Sequence, residues 1–143
     1  MPSILKPLAI VCALGAGFFA SDVYQWFNIR AHVKPLSEYC LVTTQACELG
    51  NIRVEADRDI SQPLVPTKIT VDWPNSTKQQ SLLITLQGYE MEMGTLMFTL
   101  NKSGATQYSG LITLPVCTQN TMTWVGEITD GQDTMSASIR MER

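Results

Sequence analysis

Histidine is almost absent: one residue, His32, serves all 143 positions. Any catalytic triad, histidine-ligated zinc site or imidazole general base would have to be assembled around it, and it lies just after an N-terminal hydrophobic segment. That argues against most hydrolases. Charge is scarce as well. Charged residues make up 16% of the chain, and the formal net charge of -3 offers no basic surface for a phosphate backbone, so no nucleic-acid partner is expected. No nucleophile elbow, phosphate-binding loop or zinc-protease motif occurs, and an enzyme would need a nucleophile and a base within hydrogen-bond reach. The chain is therefore read as a non-enzyme. It also lacks internal repeats, low-complexity tracts and, from Ile52 onward, any sustained helical stripe.

What is present begins with an apolar N-terminus. Leu8 to Ala20 (LAIVCALGAGFFA) is uncharged for 13 residues, the length of a signal h-region, and Lys6 is the basic side chain ahead of it. Cleavage after Ala20 would put bulky Phe18 where a small residue is wanted; cleavage after Gly17 fits better but shortens the core. The Ile10-Val11-Cys12 context is a poor lipidation site. Left uncut, the run continues past Ser21 and Asp22 through Val23 to Phe27 (VYQWF), whose aromatics suit a membrane interface, and Leu8 to Phe27 is long enough to span. An uncleaved signal anchor is the favoured reading over a cleaved signal. Lys6 favours an inside N-terminus, whereas Arg30 and Lys34 on the other flank oppose it.

Cysteine chemistry breaks that tie. Beyond the apolar segment lie Cys40, Cys47 and Cys117, whose spacing matches no zinc ribbon or redox C-x-x-C pattern. The simplest reading is a Cys40–Cys47 disulfide and one single thiol. Such a bridge closes a loop of about eight residues, worth roughly 2.5 kcal/mol in chain entropy, and persists only in an oxidising compartment. The expectation is a single-pass membrane protein with its C-terminal domain exported into an oxidising compartment. Cys117 is then a buried small hydrophobe or a soft-metal ligand.

Three regions follow from this: a signal anchor over residues 1–30, a linker and cysteine-containing loop over 31–50, and a folded domain over 51–143. In the last, apolar residues recur with a period near two. Strands are predicted over Ile52–Ala56, Lys68–Trp73, Ser81–Gln87, Thr95–Asn101, Gln107–Leu114, Met122–Ile128 and Thr134–Met141. The turns are Pro74 to Ser76, Lys102 to Gly104 and Thr129 to Asp133. Ile69, Val71 and Trp73 share one face, as do Tyr108, Gly110, Ile112 and Leu114, and Met135, Ala137, Ile139 and Met141. About seven short strands at this spacing predict an all-β fold, an immunoglobulin-like β-sandwich.

The chemistry-bearing stretch runs from Gln87 to Trp124 and contains LQGYEMEMG, then GATQYSGLITLPVC, then TMTW. Met91 and Met93, two residues apart on an extended segment, point to one side, with Glu92 on the other. Thioether and thiolate donors are soft and select Cu(I), and methionine needs no deprotonation. Cys117 and Met122, on or near the connection between the two C-terminal strands, would complete a site of three or four donors if the fold brings them to the MEMG segment. Met97, Met135 and Met141 are read as packing or surface residues, Glu90 and Glu92 as solvated, and Tyr108 and Trp124 as core anchors.

The M-x-M-G segment, the G-x-x-x-Y-x-G strand and the closing Met and Trp resemble the YtkA-like and FixH-like group of exported sandwich domains. The C-x6-C segment, MEMG, and LPVC with its following M-x-W also look like a set of small, membrane-anchored bacterial proteins. The resemblance runs from Cys40 to Trp124, although no histidine lies near the methionine segment here. It implies copper handling and assembly of a respiratory metalloenzyme, with a respiratory oxidase as membrane partner. The competing expectation is a metal-free immunoglobulin-like interaction module that docks on a membrane complex.

Overall fold

The computed structural model describes residues 12, 13, 15, 17, 19–24, 34–76 and 78–143. It divides into two units, Met1–Lys34 and Pro35–Arg143. In the first, the described residues from 12 to 24 are helical. Among the described residues no helix is long and apolar enough to cross a membrane. Much of the span from Leu8 to Phe27, and His32, lie outside the described residues.

The second unit is all β. Its strands among the described residues are β1 (Cys40–Leu41), β2 (Cys47–Leu49), β3 (Ile52–Ala56), β4 (Thr67–Asp72), β5 (Ser81–Gly88), β6 (Thr95–Lys102), β7 (Gln107–Ile112), β8 (Thr121–Thr129) and β9 (Thr134–Glu142). They form one sheet in the order β1-β9-β8-β5-β6-β7-β4-β3-β2. All seven predicted strands are there as β3 to β9. The two additions, β1 and β2, fall in the segment read from the sequence as linker and cysteine-containing loop.

The order encodes two overlapping Greek keys. β5, β6 and β7 run consecutively, β4 lies beside β7, and β8 returns to lie beside β5. Neighbours are antiparallel except β1, which runs parallel to β9 with Cys40 opposite Ala137 and Leu41 opposite Ser138. The β6–β7 ladder is confined to Asn101 opposite Ser109 and Lys102 opposite Tyr108, beside their hairpin. Beyond those pairs the strands part and the sheet folds back over its own core.

At the other seam, the Cys40–Cys47 disulfide joins the two terminal strands, with their Cα atoms 5.9 Å apart. The Ala56 N–H adds a 2.8 Å hydrogen bond to the Thr43 carbonyl. The sheet is thus nearly closed, its two short edge strands tied across the seam by one disulfide and one hydrogen bond.

Alternation decides what the sheet encloses. Thr67, Ile69 and Val71 of β4, Leu82, Ile84 and Leu86 of β5, and Met135, Ala137, Ile139 and Met141 of β9 are buried, with Trp73, Tyr108 and Trp124 the largest buried side chains. Each fully buried aliphatic or aromatic side chain contributes about 1.5–3 kcal/mol relative to exposure. The Tyr108 hydroxyl is satisfied by the Ser76 and Gln79 carbonyls. Gly126, opposite Leu86 on β5, allows the two central strands to meet: a Cβ there would lie 1.7 Å from the Thr85 carbonyl oxygen.

Candidate functional site

Met91, Met93, Cys117 and Met122 gather at one end of the sheet, where β5 and β9 finish and β8 begins. Pro115 follows the end of β7, and the connection folds inward so that Leu114 and Cys117 are buried while Val116 stays exposed. The C-terminus secures this turn. Arg143 donates its backbone N–H to the Asn120 carbonyl and a guanidinium N–H to the Cys117 carbonyl, both at 2.9 Å.

Cys117 is 3% exposed, and its Sγ lies 3.1 Å from Met122 Sδ, with the Pro115 carbonyl at 3.8 Å. Burial pushes the Cys117 thiol above its ordinary value; the Arg143 guanidinium opposes this and the Glu90 charge reinforces it. The resting group is a neutral thiol beside a thioether. Met122 is fully buried on β8, opposite Met141 of β9. Trp124, two residues on and opposite Gly88 of β5, is fully buried with an indole N–H that meets no protein acceptor.

Gly88 is the steric condition for this packing. A Cβ at that position would fall 2.1 Å from Met122 Cε and 2.1 Å from the Met91 carbonyl oxygen, so the methionine methyl and the backbone of the Met91 segment occupy the space a side chain would take. From Gly88 the chain leaves β5 and crosses the start of β8. The Tyr89 N–H donates to the Thr123 carbonyl at 2.9 Å, and the Glu90 carboxylate accepts the Thr123 N–H at 2.7 Å. Arg140, opposite Thr123 on β9, lies 3.5 Å from the same carboxylate and donates to the Thr123 hydroxyl at 2.9 Å. Burial alone would raise the Glu90 carboxyl, but the bonds from Thr123 and the nearby Arg140 charge outweigh it and hold the group below its ordinary value.

Met91 and Met93 follow, half-buried against the core that contains Cys117 and Met122, while Glu92 between them is exposed. Cys117 and Met122 are therefore brought into direct sulfur contact. Met91 meets Met122 at Gly88 through its backbone, and Met93 packs on the same core. Cys40 and Cys47 stand apart in role, bridged at the sheet seam. Among the described residues no three His, Cys, Asp or Glu side chains group to hold a metal ion. Thiol and thioether donors in an apolar wall fit a soft monovalent ion instead, at the cost of the thiol proton.

Sequence reasoning passed over Gly88, Thr123, Arg140 and Arg143, and over the contacts that Glu90, exposed as expected, makes with Thr123 and Arg140. The Gly-Tyr-Glu step ahead of MEMG is the local signal for a close approach; Arg140 and Arg143 carry none, since their roles come from the β8–β9 register and from the chain end. Elsewhere, a polar depression of ≈ 110 Å³ on the outer face of β3, β4 and β7 is lined by Arg53, Glu55, Thr70, Asp72 and Gln107. Arg53 there also pairs with Glu48 at 3.0 Å.

No family model matches the chain, and no curated protein matches it. Among solved structures, the crystal structure of an engineered protein is similar at 18% identity and a TM-score of 0.40, over 68% of this chain and 20% of that one. The chain spans about one fifth of that protein's length, and a likeness this slight says nothing further of fold or function.

Proposed function

We propose that this chain is a membrane-anchored periplasmic accessory protein whose β domain holds Cu(I) at Cys117 and Met122, with Met91 and Met93 as further thioether donors. In this reading the domain is an immunoglobulin-like sandwich of the YtkA-like and FixH-like kind. It is tethered to the inner membrane by Leu8 to Phe27 and serves assembly of a respiratory metalloenzyme such as an oxidase. The observation that carries the reading is the 3.1 Å approach of Cys117 Sγ and Met122 Sδ within an apolar wall. A thiolate and a thioether are soft donors, and burial keeps harder, hydrated cations away from them. The Cys40–Cys47 disulfide supports an oxidising compartment.

The test is a Cu(I) competition titration of the full chain in detergent against a chromophoric chelator, beside Cys117→Ser and Met93→Ala variants. One-to-one binding that is lost with Cys117→Ser and weakened with Met93→Ala is expected; no competition by the native chain refutes the reading. A second reading, a metal-free interaction module on a membrane complex, is favoured by Leu64. This bulky residue has φ 61° and is 64% exposed, with its N–H held by the Leu114 carbonyl. A non-glycine residue in that region is strained, and such strain gathers at functional surfaces. The same titration separates the two.

A further inference from the structure

A soft ion has no open route to the sulfur pair, since Cys117 is 3% exposed and Met122 is fully buried. Two non-strand segments adjoin it: the β7–β8 connection that carries Cys117, pinned by Arg143, and the residues between the end of β5 at Gly88 and the start of β6 at Thr95. This Tyr89–Gly94 segment is held unevenly. Near Gly88 it is bonded twice to Thr123, through the Tyr89 N–H and the Glu90 carboxylate, and Arg140 completes the contact. At its far end Gly94, with φ 78°, turns the chain into β6, and a Cβ there would meet nothing within 4 Å. Between these ends Met91 and Met93 rest half-buried on the core.

The holding contacts are of a kind that can be exchanged for water. The Glu90 and Arg140 side chains are 32% and 36% exposed, so solvent can replace their pairing while the buried ladders of β5, β8 and β9 stay intact. The backbone of Met91 sits against Gly88 in the same space as the Met122 methyl. Lifting the segment would take this backbone away from beside the Met122 methyl.

We propose that Tyr89–Gly94 is a latched strap over the Cys117–Met122 pair, with Glu90 as the positioning residue that keeps it closed. Opening carries Met91 and Met93 outward, so their thioethers meet an incoming soft cation before the buried pair does. Closing returns them to the core beside Cys117 and Met122. The cargo rests on the Cu(I) reading above; the strap does not.

Two measurements on the full chain in detergent keep those claims apart. The first follows maleimide labelling of Cys117 in metal-free protein, read by mass spectrometry of its peptide as urea is raised below the unfolding transition. The second follows the rate of Cu(I) uptake from a chromophoric chelator. Labelling of the native chain is expected to be nearly independent of urea at first, the mark of local opening. Glu90→Gln should raise the labelling rate about tenfold, the weight of a charge-assisted hydrogen bond, while the urea midpoint moves little. Cu(I) uptake should quicken by the same factor. Labelling of the native chain that climbs with urea at the slope of global unfolding overturns the strap, even if Glu90→Gln fails to fold. An unchanged rate in Glu90→Gln overturns it as well. Expected labelling without Cu(I) binding upholds the strap and removes the cargo; tight Cu(I) binding with both rates unmoved by Glu90→Gln does the reverse.

Discussion

Breaking the Cys40–Cys47 bridge should lower the melting temperature of the β domain by about 11 °C. The bridge spans a sequence separation of 7, a closed loop of about eight residues, and removing it returns roughly 2.5 kcal/mol of entropy to the unfolded chain. A folded unit from Pro35 to Arg143 unfolds with an entropy of about 230 cal/mol/K at roughly 2.1 cal/mol/K per residue, which converts that free energy into the stated shift. The structure adds a local consequence. β1 is held to β9 over Cys40 and Leu41, with one further bond from the Val42 N–H to the Ser138 carbonyl at 2.9 Å. Without the covalent tie to β2, this end strand should fray first. The assay is a thermal melt of the full chain followed by circular dichroism, oxidised against a Cys40→Ala, Cys47→Ala variant, with amide exchange at Leu41 and Val42 in each. A shift under about 3 °C would refute the claim that the bridge constrains the unfolded chain. Unchanged protection at Val42 would refute its role in holding the seam closed.

Gly126→Ala should unfold the domain or cost more than about 3 kcal/mol in urea denaturation, because the new Cβ meets the Thr85 carbonyl oxygen at 1.7 Å and neither central strand can give way cheaply. Met122→Leu should change stability by less than about 1.5 kcal/mol while abolishing the thioether, whereas Met122→Ala should cost about 2–5 kcal/mol. If Met122→Leu retains full Cu(I) affinity, Met122 is packing and not a donor. Because burial holds the Cys117 thiol above its ordinary value, Cu(I) affinity should rise about tenfold per pH unit through the neutral range as the displaced proton becomes easier to lose; a pH-independent affinity would remove Cys117 from the site. Glu90 titrates below its ordinary value of 4.5, so its hold on Thr123 adds stability above that value and loses it as pH falls through the lowered one. Cys117 labelling, corrected for thiol ionisation, should therefore quicken on acidification in the native chain but not in Glu90→Gln.

β3 to β6 could be read from sequence because burial alternates along them over at least five residues, the period a half-buried strand imposes on its own composition, whereas β7, β8 and β9 alternate only in part and were legible as apolar runs bounded by turn residues. β3 and β4 coincide with their predicted ranges to within a residue at each end, and Met135 and Met141 take the inward positions their spacing demands. Met97, on the opposite alternation, is 63% exposed. β1 and β2 are too short to show a period. They exist because β9 offers an edge and the disulfide holds them together, both being long-range facts. In the site, Met91 and Met93 are both half-buried on the core with Glu92 exposed, the sidedness their two-residue spacing predicts, although the chain bends at 89–91 instead of running extended. The contact between Cys117 and Met122 depends on how the LPVC turn folds in, and the Glu90 latch depends on the register that sets Arg140 opposite Thr123. Neither leaves a trace in local sequence.

Strand direction also fixes where the sulfur pair lies relative to the start of the sheet. Because β1 is parallel to β9 and pairs with it at Ala137 and Ser138, the chain enters the sheet from the side of the Thr129–Thr134 turn. Cys117, Met122 and the Tyr89–Gly94 strap lie at the opposite ends of β8 and β9, roughly 20 Å away along strands that rise about 3.3 Å per residue. Where the chain enters, Cys40 is bonded to Cys47, so the first residue of β1 is tied covalently to β2 as well as through its short ladder to β9, and a force on the start of β1 would load the disulfide before it could peel β1 away.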